Sequence, residues 1–167
     1  MNTKSAINFL EEQITDARKG LPEEIFLFAS SITPLVNVEL LIKDENGRTL
    51  LSWRDDKYAG KGWHIPGGIV RFKESLEERI QKVAKEEIGT QIEFEPNPIA
   101  IKQVILEQNT RGHSLAFMYK CFLNSKYTLE NKGLTEKDAG YLKWHEFCPN
   151  NLIKVQEIYR EFINDYK

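Results

Sequence analysis

Apolar residues recur along the chain at two kinds of spacing, alternate positions and every third or fourth position, which predict strands and helices respectively. Helices are predicted at residues 5–19, 22–29 and 75–88, and a closing helix from residue 150 or 151 to 162. Strands are predicted at residues 36–42, 49–53, 63–65, 69–72, 99–106, 115–123 and 142–147. Because the two kinds of element interleave, we expect an α/β fold with a mixed β-sheet covered by helices on both faces.

The predicted helix at residues 75–88 carries strong signals at both ends. Ser75 and Glu78 have the spacing of a capping box at its start, and Gly89 is expected to end it in the left-handed conformation. Its apolar stripe, which predicts the face turned toward the sheet, consists of Leu76, Ile80, Val83 and Ala84.

Two carboxylates stand in the last turn of this helix, where acidic side chains are unfavourable. Glu86 and Glu87 face the negative end of the helix dipole, at a cost of roughly 0.3–1 kcal/mol each. Glu87 also extends the apolar stripe, where an unpaired carboxylate is costly. A divalent cation such as magnesium or manganese relieves both problems. On the helix alone, the alternative of two solvated surface glutamates is favoured; the residues before the helix reverse that preference.

Composition narrows the class of protein. The chain has 167 residues and a formal net charge of −2, which suit one domain without a basic surface for nucleic acid. No apolar run reaches the roughly 18 residues that a membrane helix needs. Cys121 and Cys148 lack metal-type spacing and are expected to be reduced thiols of a cytoplasmic protein.

The segment that leads into and forms this helix resembles the Nudix box, which reads Gly, five residues, Glu, seven residues, Arg-Glu, an aliphatic residue, any residue, Glu-Glu, any residue and Gly. Gly68, Glu74, Glu86, Glu87 and Gly89 all fall in register, after the lead-in Trp-His-Ile-Pro-Gly. The resemblance implies a Nudix-type α/β/α sandwich over residues 33–167. Residues 1–30 are then a helical amino-terminal extension of the same single domain.

The resemblance also implies a site. Glu86, Glu87 and the Gly68 carbonyl are expected to bind the cation, with Gly67 and Gly68 close to the substrate. Glu74 and Gly89 are structural positions of the box, as is Lys82, which replaces the usual Arg and loses its forked hydrogen bonds to Glu74.

Val83 replaces a Glu that binds metal in the pyrophosphohydrolase members, so one cation is expected rather than a cluster. The alternative is that activity is weak.

Residues 33–42 resemble the opening strand of the GDP-mannose mannosyl hydrolases. Arg54, twelve residues before Pro66, falls where that subfamily has a diphosphate-binding Arg. Asp138 approximately matches its late-loop metal ligand. Ile69 replaces another of its arginines, and Arg71, which points to the same face of an extended strand, is the expected substitute.

The subfamily's catalytic His aligns with Ala139, so the general base is missing at that position. His113 and His145 are candidate replacements, although partly exposed histidines without a catalytic role are the simpler interpretation. His64 is expected only to pack.

Three functions stay open. The first is hydrolysis of a nucleotide sugar such as GDP-mannose at the sugar carbon, in which Glu86, Glu87 and Arg54 are the catalytic residues. The second is pyrophosphate cleavage of nucleoside triphosphates or ADP-ribose-like substrates. The third is a nucleotide-binding module without turnover. Residues 1–30 have two open roles, pairing subunits into a homodimer or closing over the small-molecule nucleotide.

Overall fold

The computed structural model describes residues 2–165, so Met1 and residues 166–167 of the predicted domain lie outside the described chain. The strands are β1 (Leu35–Ile42), β2 (Thr49–Asp56), β3 (Gly60–His64), β4 (Gly67–Ile69), β5 (Glu93–Phe94), β6 (Ala100–Ile105), β7 (His113–Phe122) and β8 (Leu142–His145). The α-helices are α1 (Thr3–Glu12), α2 (Glu23–Ile32), α3 (Leu76–Val83) and α4 (Arg160–Asn164).

The strands form two sheets. The larger one has the order β4-β1-β7-β5, with β6 also pairing β7, and it is mixed because β1 and β7 run parallel while its other pairs are antiparallel. The smaller sheet has the antiparallel order β3-β2-β8. The parallel pair needs a long crossover, and α3 lies within it. The predicted α/β architecture with a mixed sheet is confirmed.

Side chains of β1 alternate between two hydrophobic cores. Val38 and Leu40 belong to the core that includes Ile80 of α3, whereas Leu41 belongs to the core on the side of α4. Because successive side chains of a strand point to opposite faces, Glu39 shares the face of Leu41. β1 therefore carries one acidic side chain into the interior.

The predicted first helix is wrong in its length. Helix α1 ends at Glu12, and Asp16 begins a separate 3-10 turn, Ala17–Lys19, by accepting the backbone N–H of Arg18 at 3.1 Å. Short acidic side chains compete in this way with continued helix formation. Helix α2 begins after Pro22, as predicted, and continues to Ile32.

The closing segment and two strands also differ from the prediction. The Trp63 N–H donates to the Asn151 carbonyl and the Ile153 N–H to the Trp63 carbonyl, each at 2.9 Å. This pairing with β3 delays the closing helix, which starts as a 3-10 segment, Lys154–Tyr159, before α4. Strand β4 occupies Gly67–Ile69 rather than residues 69–72, and β5 was not predicted. Within residues 2–165, no helix is long and apolar enough to cross a membrane.

Candidate active site

Helix α3 begins and ends as its sequence predicts, and its last turn is π-helical. The Ser75 hydroxyl accepts the Glu78 N–H at 3.1 Å, and the Glu78 carboxylate accepts the Ser75 N–H at 2.8 Å, which completes the capping box. The Gly89 N–H then donates to the Ala84 carbonyl at 3.0 Å, closing the π turn Ala84–Ile88, and Gly89 has a left-handed φ of 83°. Such π turns are frequent at functional sites.

The π turn places Glu87 against the glycine turn that follows β3. The Gly67 N–H donates to Glu87 Oε1 at 3.3 Å, whereas Glu86 is exposed on the rim of the adjoining cleft. A side chain at Gly68 would bring its Cβ to 2.8 Å from Val83 Cγ2. Glycine is therefore required there for α3 to approach the turn, and Val83 is a packing residue in place of the usual box glutamate.

Glu74 is the anchor of the segment before α3. Its carboxylate accepts hydrogen bonds from the Arg71 N–H at 2.8 Å, from Arg79 Nε and Nη2 at 2.8 and 3.1 Å, and from Lys82 Nζ at 2.7 Å. Burial alone would raise its pKa, yet these hydrogen bonds and the Arg79 charge lower the pKa of Glu74 to about 2. Arg79, which was not among the predicted site residues, supplies the forked hydrogen bonds that Lys82 lacks.

A second buried carboxylate, Glu39 of β1, lies on the other side of the glycine turn. It accepts a hydrogen bond from Gln156 Nε2 at 3.1 Å, and a Cβ at Gly67 would collide with its carboxylate. Burial and the negative charge of Glu87 raise the pKa of Glu39 well above its usual value. Burial likewise raises the pKa of Glu87 to about 7, against the opposing effects of the Gly67 N–H and Arg54.

Glu39 was also not among the predicted site residues. Its signal is a single acidic residue between Val38 and Leu40 in an otherwise apolar strand, which is rare unless the carboxylate has a partner.

His64 presents an unprotonated nitrogen to this pair. Its Nδ1 is 2.8 Å from the Ile65 carbonyl oxygen, which only accepts, so Nδ1 carries the proton. Its Nε2 is 3.9 Å from Glu87 Oε2. Burial and the Arg54 charge lower the pKa of His64 to about 4, so the ring is neutral at pH 7.

A cleft of about 450 Å³ opens beside these groups. Of the predicted site residues, Arg54, Gly67, Glu86, Glu87 and Gly89 line it, and Ala139 is also part of the lining. The Arg54 guanidinium pairs with Asp56, another lining residue. The structure thus brings five predicted residues together around one opening.

Two predicted site residues lie elsewhere, and their roles stay predictions. The guanidinium of Arg71 packs against Gly20, where a Cβ would be 3.3 Å from its Nη1. The Asp138 carboxylate is exposed and accepts the Thr135 N–H and hydroxyl, each at 2.7 Å. Neither side chain lines the cleft. Gly68 lies behind the lining, against Val83.

The other two histidines also lie outside the lining of the cleft. His113 Nε2 is 2.9 Å from Gln103 Nε2, and the His145 ring packs against Trp63 with centroids 4.4 Å apart. These contacts favour a packing role for both side chains.

The donor set suits one hard cation. Among residues 2–165, no three His, Cys, Asp or Glu side chains cluster closely enough to form a metal site of their own. Magnesium needs no such cluster, because it is commonly held by one or two carboxylates, water and substrate phosphates. Glu87 is half-buried at the cleft without a cationic side chain hydrogen-bonded to it, and Gly68 belongs to the same turn. The residues present therefore fit a single magnesium ion.

Comparison with known protein families agrees with the resemblance to the Nudix box. Residues 33–166 match the NUDIX domain. The chain belongs to the Nudix family. The prediction of a Nudix hydrolase is confirmed, and Nudix hydrolases act on small-molecule nucleotides with divalent cations.

One curated relative and two solved structures are similar to parts of this chain. Over 75 residues, 45% of this chain and 47% of the relative, the sequence is 35% identical to the low-salt glycan biosynthesis protein Agl8 of Haloferax volcanii. The chain thus matches about half the length of that curated relative. Solved structures with the same fold include a MutT NUDIX hydrolase from Burkholderia pseudomallei (TM-score 0.60, 23% identity, 77% of this chain and 97% of that one). A NUDIX-family hydrolase from Clostridium perfringens is similar (TM-score 0.60, 20% identity, 81% and 97%).

Proposed function

We propose that this protein hydrolyses a nucleoside diphosphate linked to a second group, with a nucleotide sugar such as GDP-mannose as the preferred class, and that it requires magnesium. The observation that carries the proposal is the pair of carboxylates on the two sides of the Gly67 turn: Glu39 is buried, and the half-buried Glu87 lines the same cleft as Arg54. Two such groups repel each other unless a proton or a cation lies between them. A diphosphate is the ligand that brings a magnesium ion and also needs the arginine.

Each residue at the cleft has a different role in the proposed reaction. A magnesium ion bound at Glu87 and the Gly68 carbonyl would neutralise the diphosphate as the leaving group. Arg54, oriented by its ion pair with Asp56, donates hydrogen bonds to the phosphate oxygens. His64 Nε2, unprotonated beside Glu87, accepts a hydrogen bond from the attacking water. Glu86 on the rim of the cleft would hold water beside that ion.

The cleavage of a carbon–oxygen bond fits this site best. The oxygen of water bonds to the anomeric carbon, the bond from that carbon to the diphosphate oxygen breaks, and the water proton passes to His64 Nε2, giving free sugar and nucleoside diphosphate. The box position that holds a metal-binding Glu in the pyrophosphohydrolases is occupied by Val83, which is 2% exposed and packs in the core. This position therefore supplies no further metal ligand. The name of the Haloferax relative, a glycan biosynthesis protein, agrees with a sugar substrate.

Pyrophosphate cleavage is the second candidate, and one observation favours it. Ala139 lines the cleft where the mannosyl hydrolases have their catalytic His, so the loop supplies no base for attack at carbon. In this reaction the water oxygen bonds to one phosphorus, the bond from that phosphorus to the bridging oxygen breaks, and the water proton passes to solvent, giving a nucleotide and a phosphorylated remainder.

Isotope labelling distinguishes the two. The protein is incubated with magnesium in ¹⁸O-water and a panel of nucleotide sugars, dinucleotides and nucleoside triphosphates, and the products are identified by mass. The proposal predicts turnover of a nucleotide sugar with ¹⁸O in the free sugar. Label in a phosphate group would replace it with pyrophosphate cleavage, and no magnesium-dependent turnover of any compound would contradict both.

A further inference from the structure

Arg111 is held in an unusual backbone conformation by the amino-terminal extension. It precedes β7, has a left-handed φ of 57°, and donates its N–H to the Ser30 hydroxyl at 3.0 Å. Ser30 belongs to α2 and is buried. Non-glycine residues rarely adopt this conformation unless the surroundings impose it. Helix α2 therefore fixes the direction in which the Arg111 side chain leaves the backbone.

The side chain of Arg111 is stacked between two aromatic rings. Its guanidinium carbon is 5.2 Å from the ring centre of Phe26 in α2 and 4.5 Å from that of Tyr58 in the β2–β3 turn. Tyr58 is itself tied to α2, because its hydroxyl hydrogen-bonds to Glu23. Stacking uses the faces of a guanidinium and leaves the N–H groups at its edge available. Among residues 2–165, no side chain forms an ion pair or hydrogen bond with that edge.

Arg111 and Arg54 share one carboxylate. Asp56 pairs with Arg54 and accepts the N–H groups of Tyr58 and Ala59 at 2.7 and 2.8 Å, which places it under the ring that stacks on Arg111. Burial lowers the pKa of Arg111, and the positive charge of Arg54 lowers it further, whereas Asp56 opposes both. Arg111 lies outside the lining of the cleft but close enough to Arg54 and Asp56, which line it, to interact with their charges. Two guanidinium groups beside one carboxylate leave a net positive charge next to this part of the cleft.

We infer that Arg111 is a second anion-binding arginine of the substrate site, which binds the phosphate group farther from Glu87 while Arg54 binds between them. The inference rests on the proposed nucleoside diphosphate substrate. It gives this role to a residue of the β6–β7 loop rather than to Arg71, whose guanidinium packs against Gly20. It also gives the extension a function, because Phe26, Ser30 and Glu23 of α2 hold Arg111 and its stacking partner.

Binding measurements on the full chain with magnesium test this role. Dissociation constants for GDP, GMP and inorganic pyrophosphate are measured by calorimetry for wild type, Arg111→Met and Arg111→Lys. We expect Arg111→Met to weaken GDP and pyrophosphate binding by about tenfold or more and GMP binding by less than about twofold, since only the second phosphate loses its hydrogen bonds. Arg111→Lys, which keeps the charge but not the fork, should lie between. Phe26→Leu, which loosens the stack, should weaken the same two ligands.

Arg18→Met is the matched control, because Arg18 is an exposed arginine of the same extension that pairs with Asp16, and it should bind all three ligands as wild type does. Unchanged GDP and pyrophosphate binding in Arg111→Met and Arg111→Lys would overturn the inference. An equal weakening of GDP and GMP binding would also overturn it, because it would indicate a structural role for Arg111. A wild type that cleaves no nucleotide derivative refutes the proposed function alone; Arg111-dependent binding of pyrophosphate would still support the anion site, and no binding of pyrophosphate or GDP would refute it.

Discussion

Two carboxylates lie on either side of α3 in the sequence, Glu74 before it and Glu87 in the π turn after it, and they differ in the cations that face them. Glu74 is met by Arg79 and Lys82 within hydrogen-bonding distance, and its pKa falls to about 2. Glu87 is met by a backbone N–H and a neutral His64, with Glu39 behind it, and its pKa rises to about 7.

The difference teaches which carboxylate is structural. A buried charge is stable in a protein when its partner is present, as for Glu74. A buried charge whose partner is missing from the chain indicates a ligand that brings the opposite charge, as for Glu87. The same residue type therefore serves for packing at one position and for cation binding at the other, and each change below separates the two.

The largest effect is expected from Glu74→Gln. Removing this charge leaves the buried Arg79 guanidinium unpaired, which costs about 3–5 kcal/mol of the free energy of unfolding. Urea denaturation of the mutant measures the loss. Glu77→Gln, an exposed position on the same helix, is the control and should change stability by less than about 0.5 kcal/mol. Equal stability of the two mutants would show that Glu74 is not an anchor.

Glu87→Gln should have the opposite sign in metal-free protein. The folded-state pKa is raised from 4.5 to about 7, so the folded state binds the extra proton and stability falls as pH rises between those values. Without the titrating carboxylate, the mutant should be more stable than wild type at pH 8 by about 2–3 kcal/mol. Thermal or urea unfolding in EDTA checks this, and a mutant less stable than wild type at pH 8 would mean that Glu87 is satisfied by the protein alone.

The loss of folding stability at acidic pH should depend on Glu74. Its folded-state pKa is lowered from 4.5 to about 2, so its contribution is present above pH 4.5 and is lost as pH falls toward 2. The stability difference between wild type and Glu74→Gln should therefore shrink by about 2 kcal/mol between pH 6 and pH 3. A difference that stays constant over this range would place the source of the Glu74 effect outside its charge.

The smallest effect is expected at Lys82. Its side chain is 52% exposed, so the ion pair with Glu74 is screened by solvent, and Lys82→Met should cost about 0.5 kcal/mol. Arg79→Met, at 7% exposure, should cost several times as much. Equal costs would mean that the two cations share the structural role of the box arginine.

Local sequence signals predicted the helix and the positions of the box residues well. The Ser75 capping box, the left-handed Gly89 and the register of Glu74, Glu86 and Glu87 depend on residues a few positions apart, and each of these elements forms in the structure. The π turn before Gly89 escaped prediction because an apolar stripe does not distinguish one wider turn from a regular one.

The rest of the site depends on contacts between distant segments. Glu39 meets Glu87 only because β1 pairs with β4, and the Arg111 guanidinium reaches Tyr58 only because α2 lies between two loops. The position of Arg71 shows the same limit: alternation on an extended strand predicted its direction, whereas β4 ends at Ile69 and the side chain packs against Gly20, so its binding role stays a prediction. Pairings of this kind are absent from any single stretch of sequence.

The central claim is that Glu87 is the cation-binding carboxylate of a hydrolase, and turnover measures it most directly. With magnesium and the nucleotide sugar that wild type cleaves, Glu87→Gln should lower kcat/KM by about 10³-fold, equivalent to roughly 4 kcal/mol of transition-state stabilisation, while the folded protein remains as stable as wild type or more so. Glu77→Gln should retain wild-type turnover. Turnover by Glu87→Gln within about tenfold of wild type would contradict the account.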